Sequence, residues 1–282
     1  MPIVNQPLSF LFSFAFAGAL YFLLGAYFWK SRWAALGAPE ISEKAARLEK
    51  IAIGLALFIH ATALRQALFG QEGMQFSFSL AFSLMAWLAT LMYWLESFQV
   101  RMDGMQAVIL PAASFAAFFP VIFPESHPVT HIATLGFRLH FLAAMLAYGL
   151  FALAAAHALF MALLEKRLRH APASRLIARM PPLLALETLL FRMLNIAFML
   201  LTLALFSGLL YSEKIFGRAL TWDHKTIFGI LAWCVFAVLL AGRHIYGWRG
   251  RQALKWTFSG FGILLLAYVG SHFVLEVILQ RL

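Results

Sequence analysis

Nine histidines are spread along the 282 residues. Four of them fall inside long apolar runs: His60, His140, His272, and His157, which lies near the inner end of the same run as His140. An ionisable side chain in hydrocarbon is costly, so each of these positions carries a functional hypothesis. Near neutral pH imidazole is largely uncharged, and either ring nitrogen can ligate a transition metal. Two imidazoles at one depth on different helices could bind one haem iron from opposite faces. The competing use is a hydrogen bond across a helix interface, a common fate of a lone intramembrane histidine. No HExxH motif or ordered His/Cys cluster is present, which argues against a zinc hydrolase. Cys234, the one cysteine, lies in an apolar run, so an intrachain disulfide and a CxxC motif are both excluded.

Composition sets the solvent in which these groups work. Hydrophobic residues make up 63% of the chain and charged residues 12%, with mean hydropathy +0.83. Soluble domains carry about 25% charged residues, so this chain lacks the polar surface to face water. The runs are too long and continuous for barrel strands, and open sheet edges are excluded in lipid. An all-α polytopic membrane bundle of about eight transmembrane helices is expected, forming a single transmembrane domain over residues 1–282. About 20 apolar residues cross the hydrocarbon core. On that basis the spans are predicted at Leu8–Trp29, Ile51–Phe69, Phe76–Phe98, Met105–Phe123, Thr134–Leu164, Phe191–Tyr211, Lys225–Gly242 and Trp256–Leu279. The fourth contains Pro111 and Pro120 and is expected to kink. The fifth is long enough to continue beyond the membrane. Residues 1–7 lack the basic start of a signal peptide, and the first run is expected to stay as a helix.

The net charge of +10 does not point to nucleic acid, because the Lys and Arg residues sit in short clusters between apolar runs. Those clusters are topology signals. The first connection carries Lys30, Arg32, Lys44, Arg47 and Lys50. The fifth carries Lys166, Arg167, Arg169, Arg175 and Arg179, and the seventh Arg243, Arg249, Arg251 and Lys255. Basic odd-numbered connections place both termini on the outer side. At about 1.5 Å per residue, His60 then lies about 14 Å into its span, near the midplane. His140, about 9 Å below the outer boundary, and His272, about 24 Å up its span, share a level on the outer side. Arg138 stands two residues before His140, and Arg65 five after His60. Cations so placed suit haem propionates, although both arginines could equally reach to headgroups. Most tryptophans sit near span ends, as an interfacial belt predicts.

Arg138-Leu-His140 with the following Phe-Leu-Ala-Ala-Met-Leu-Ala-Tyr148-Gly resembles the histidine-bearing helix of the CcsA/CcmC/HemX cytochrome c assembly family. Thr221-Trp222-Asp223-His224-Lys225 resembles the end of that family's tryptophan-rich WWD segment. His60-Ala-Thr-Ala-Leu64, Met180-Pro-Pro-Leu-Leu, Gly247-Trp-Arg-Gly-Arg251 and Leu266-Ala-Tyr-Val-Gly-Ser271 are similar to its small YpjD-like inner-membrane branch. The resemblance covers essentially the whole chain, with an assembly-like core at about residues 51–280. It implies a multi-pass protein of the bacterial inner membrane that binds or presents haem at the outer face for cytochrome c biogenesis. It also implies a non-covalent, b-type haem with His140 and His272 as axial ligands, and His60, Arg138, Trp222 and Asp223 as further cofactor-binding residues. Of the family's longer WWD segment only Trp222-Asp223 is present, and no large outer domain accompanies it, so haem handling rather than catalysis within this chain is expected. Its partners would be the lipid bilayer, other cytochrome c maturation proteins and apocytochrome c. The alternative is a non-enzymatic, HemX-like regulatory or interaction protein that has lost haem attachment. A transporter would show paired broken helices, and only the fourth span is visibly interrupted.

Overall fold

A computed structural model of the chain describes residues 8–34, 42–70, 73–99, 104–124, 127–128, 135–170, 183–216 and 224–267. Within these residues lie eight α-helices: α1 Leu8–Phe28, α2 Glu43–Leu68, α3 Phe78–Glu96, α4 Gln106–Ile122, α5 Leu135–His170, α6 Leu183–Phe216, α7 His224–Tyr246 and α8 Gly250–Leu265. A π-helical turn, Trp29–Ala34, extends α1. Six helices are long and apolar enough to cross a membrane: α1, α2, α3, α5, α6 and α7. The count falls below the expected eight for a physical reason. The 17 residues of α4 rise only about 26 Å, less than the hydrocarbon thickness of about 30 Å. The 16 residues of α8 are shorter still, and the remainder of the eighth apolar run lies outside the described residues. Helix α5 does continue past its predicted end, to His170, and α6 starts eight residues ahead of its predicted span.

Local chemistry fixes several helix ends. Ser42 caps α2 by accepting from the Ala45 amide at 3.2 Å, with Glu43 in the first turn where the helix dipole favours an anion. Ser77 caps α3 by accepting from Leu80 at 3.3 Å. Pro111 and Pro120 both sit inside α4. Gly25 of α1 packs directly on the Pro111 ring, where an added Cβ would lie 3.0 Å from Cδ. Small residues at such crossings let two helices approach in lipid. Ser114 strengthens this pair by donating to Gly18 O at 2.8 Å.

The connections fall into two groups. Three short strands, β1 Phe69–Gly70, β2 Gly73–Phe76 and β3 His127–Pro128, pair antiparallel in the order β1-β2-β3. They join the α2–α3 and α4–α5 connections at one end. At the other end Arg32 Nη2 donates to both carboxylate oxygens of Glu49, at 2.8 and 2.7 Å. Lys50 donates to Ser97 O at 2.9 Å there, and Arg251 reaches Glu165 at 3.2 Å. The first connection thus meets the third, and the fifth meets the seventh. That grouping matches the alternation of basic clusters.

The second half of the chain is locked by one three-helix contact. Phe151 of α5 stacks on Phe236 of α7 with centroids 4.0 Å apart. The Phe236 ring occupies the space that a Cβ at Gly260 of α8 would need, with the nearest ring carbon 2.7 Å away. Gly260→Ala is therefore expected to cost about 1–3 kcal/mol through overpacking. Thermal unfolding in detergent would show it, with Phe236→Leu recovering most of the loss. Large apolar side chains such as Phe12, Phe22, Phe58, Met199 and Phe206 stay exposed around the outside, as expected of a surface that meets lipid.

Candidate functional site

His140 lies in the second turn of α5, against α6. Its Nδ1 is 2.9 Å from Ser207 Oγ. Ser207 Oγ is in turn 2.6 Å from Leu203 O and 3.2 Å from Ala204 O, so its proton is committed to the backbone of its own helix. Only a lone pair remains to face the imidazole. His140 therefore donates from Nδ1, and Nε2 carries the ring's lone pair. This is the arrangement of a metal-ligating histidine, whose second ring nitrogen is held by an outer partner. Gly208 shapes the adjoining space: a Cβ there would lie 3.2 Å from His140 Cε1 and 3.9 Å from Nε2. A bare α6 backbone at this position is what admits the imidazole. His140 is half-buried, and Arg138 and Leu139 beside it are exposed.

His60 sits in different surroundings. It is fully buried between α1, α2 and α3. Its Nε2 is 2.9 Å from Ser83 Oγ. The rings of Phe14 and Tyr21 meet it edge-on, with centroids at 5.9 and 5.6 Å. His157, on α5 with His140, is also fully buried. Its Nε2 donates to Leu186 O of α6 at 3.0 Å. The 17 residues between His140 and His157 put them about 25 Å apart along the helix.

Near His157, at the basic end, Glu187 gathers three partners. Arg243 Nη1 is 2.6 Å away, Arg249 Nε 3.8 Å, and the Gly250 amide 3.4 Å from the other carboxylate oxygen. Arg243 also donates to Trp248 O at 3.2 Å and lies over the Phe191 ring. Arg192, on the same helix, is not among these partners. Spacing five turns the two residues to different faces, and Arg192 is exposed. The Gly247-Trp-Arg-Gly-Arg251 motif is thereby explained. Gly247 and Gly250 take positive φ, +67° and +54°, to turn α7 into α8, and Trp248 folds back over Gly242 and stacks on Trp256.

Of the residues singled out from sequence, His140 and Arg138 lie together at the start of α5, while His60 lies apart from them in the α1–α3 group. His272, Trp222 and Asp223 lie outside the described residues. Among the described residues no three His, Cys, Asp or Glu gather as a metal site. A haem needs fewer protein donors, because the porphyrin supplies four nitrogens itself.

Comparison with known proteins bears on this arrangement. The model of the family described as "Cytochrome C assembly protein" matches residues 50–279. The chain belongs to that family. Among the relatives of this assembly-family chain is the inner membrane protein YpjD of Escherichia coli K12, 35% identical over 151 residues, which cover 53% of this chain and 56% of YpjD. The cytochrome c biogenesis protein CcsA of Prochlorococcus marinus MIT 9515 is 34% identical over 89 residues, 32% of this chain and 28% of CcsA. CcsA of strain MIT 9215 is 35% identical over the same length. The chain thus spans about half the length of YpjD, and less of the CcsA proteins. No solved structure matches. The family match begins at residue 50, so α1, which supplies Phe14 and Tyr21 to His60, lies ahead of it.

Sequence reasoning did not single out Ser207, Gly208, Ser83 or Tyr21. Ser207-Gly208 was visible as a small, polar break in the apolar run of the sixth span, at the depth assigned to His140. Ser83 and Tyr21 gave no such signal, since a serine and a tyrosine in an apolar helix are unremarkable until the neighbouring helix is known.

Proposed function

We propose that this single-domain membrane protein binds or presents haem in the bacterial inner membrane for cytochrome c biogenesis. In this reading both termini lie on the outer side, and a non-covalent b-type haem sits near the outer face between His140 and His272. The observation that carries it is the His140 setting: Nδ1 held by a serine whose proton is spent elsewhere, and a glycine cradle beside the ring. A ligand pair also has to share a level. From the Phe151–Phe236–Gly260 contact, His140 lies eleven residues back along α5 and His272 twelve residues on from Gly260. These near-equal distances are what a shared level requires.

In the same reading Arg138 faces the haem propionates, and Trp222 and Asp223 border the haem. Bound haem would supply the iron and porphyrin that a maturing cytochrome receives. What the chain itself does is hold and orient: Ser207 fixes the His140 tautomer, Gly208 keeps the ring's place, and the apolar helices exclude water. The lipid bilayer, other maturation proteins and apocytochrome c are the partners. The relatives, an inner membrane protein and cytochrome c biogenesis proteins, support this assignment.

The test is the optical spectrum of protein purified from haem-replete cells. A low-spin Soret band with sharp α and β bands, at near-stoichiometric haem, is expected. A folded, colourless preparation would favour the HemX-like regulatory reading instead.

A further inference from the structure

Among the described residues of the α1–α3 group, two polar atoms on neighbouring aromatic rings have no hydrogen-bond partner although both are fully buried: Tyr21 Oη and His60 Nδ1. They belong to neighbouring side chains whose ring centroids are 5.6 Å apart, at an interplanar angle of 70°. The other nitrogen of His60 is engaged by Ser83. Buried polar groups are satisfied almost without exception, by protein or by ordered water, because leaving one bare costs more than immobilising a water. Two unpartnered atoms on neighbouring rings can share one water, whose two hydrogen bonds join polar atoms up to about 5–6 Å apart.

We propose that Tyr21 Oη and His60 Nδ1 share one internal water, so that Tyr21, this water, His60 and Ser83 form a single buried hydrogen-bonded array between α1, α2 and α3. The array has two arrangements of equal charge. In one, Ser83 donates to Nε2 and Nδ1–H donates to the water. In the other, Nε2–H donates to Ser83 and the water donates to Nδ1. The two arrangements hold the same protons and differ only in which ring nitrogen carries the hydrogen, so the imidazole is neutral in both. Because Tyr21 lies ahead of the family match, the array ties α1 to the assembly-family core. It neither requires haem nor depends on the His140 site.

The test is Tyr21→Phe in the full-length protein, which keeps the ring and removes only the hydroxyl. If Tyr21 Oη is a true orphan, its loss leaves the melting temperature in detergent unchanged or raised. If it holds the water, the melting temperature falls by on the order of 3 °C, and the fall disappears when Tyr21→Phe is made in a His60→Leu background. A second readout does not depend on the leucine variant folding. In uniformly 15N-histidine-labelled protein, the imidazole resonance that moves in Ser83→Ala should also move in Tyr21→Phe and show a cross-peak to water. A melting temperature at or above wild type in Tyr21→Phe, or no water cross-peak on that resonance, overturns the proposal.

Discussion

His140→Ala is expected to abolish the low-spin haem spectrum and leave the protein folded, while His157→Ala leaves the spectrum unchanged. Both histidines are on α5, and both have one ring nitrogen bonded to α6. The difference lies in the partner and the depth. His157 donates to a backbone carbonyl in a closely packed interior and lies about 25 Å farther along the helix. His140 is half-buried and rests on Ser207 and Gly208. Two graded variants make the comparison sharper. Ser207→Ala keeps the ligand but removes its orienting partner, a change that weakens metal affinity about 10–100-fold in comparable sites. Gly208→Leu puts a side chain where His140 Cε1 already sits 3.2 Å from a hypothetical Cβ, and should displace the ring altogether. Haem per protein, measured by pyridine haemochrome, should fall in the order wild type, Ser207→Ala, Gly208→Leu, His140→Ala. His272→Ala should match His140→Ala. A spectrum indifferent to His140 would end the ligand assignment.

Much of the arrangement was legible before any coordinates, for reasons that can be stated. Apolar run length placed the helices because hydrocarbon thickness imposes it, and the Lys/Arg clusters sorted the connections because the two ends of the bundle differ in charge. The grouping of Arg32 with Glu49, and of Arg251 with Glu165, at the end opposite the short strands follows that pattern. The wide separation of His140 from His157 along one helix needed only the helical rise. What could not be read is which helix face meets which neighbour. Glu187 illustrates this: its partner, Arg243, is 56 residues away, and nothing in either local sequence names it. Ser207 becomes a partner of His140 only because α5 and α6 run antiparallel in one particular register. The short β1-β2-β3 pairing was also invisible, being too brief to leave a periodic signal. A helix start was misjudged where polar residues carry a helix past the lipid, as at Glu43–Lys50, since hydropathy marks the membrane and not the helix, whereas the length of the fifth run did announce that α5 continues to His170.

Glu187→Leu is expected to destabilise the protein by about 3 kcal/mol, the largest single loss of stability among its ion pairs. The carboxylate is nearly buried, with a side chain 10% exposed, and Arg243 is 23% exposed. Removing the glutamate leaves that guanidinium desolvated against the Phe191 ring, with one carbonyl, Trp248 O, as its remaining neutral acceptor. Breaking such a pair costs more than deleting both members, because the penalty lies in the stranded charge. Glu187→Leu combined with Arg243→Met should therefore recover most of the stability lost by the single change, in a double-mutant cycle of detergent unfolding. Arg249→Ala should cost under about 1 kcal/mol, since that side chain is 63% exposed and stands 3.8 Å from the carboxylate. The location of the clamp makes the same variant informative about function. Glu187 joins the start of α6 to the α7–α8 turn, and α8 runs from that turn past Gly260 toward the end of the bundle where His140 lies. Loosening the turn shifts α8 relative to α5 without touching a ligand. Glu187→Leu should then retain less haem than its double-mutant partner at a temperature where both remain folded, and equal retention would uncouple the clamp from the site.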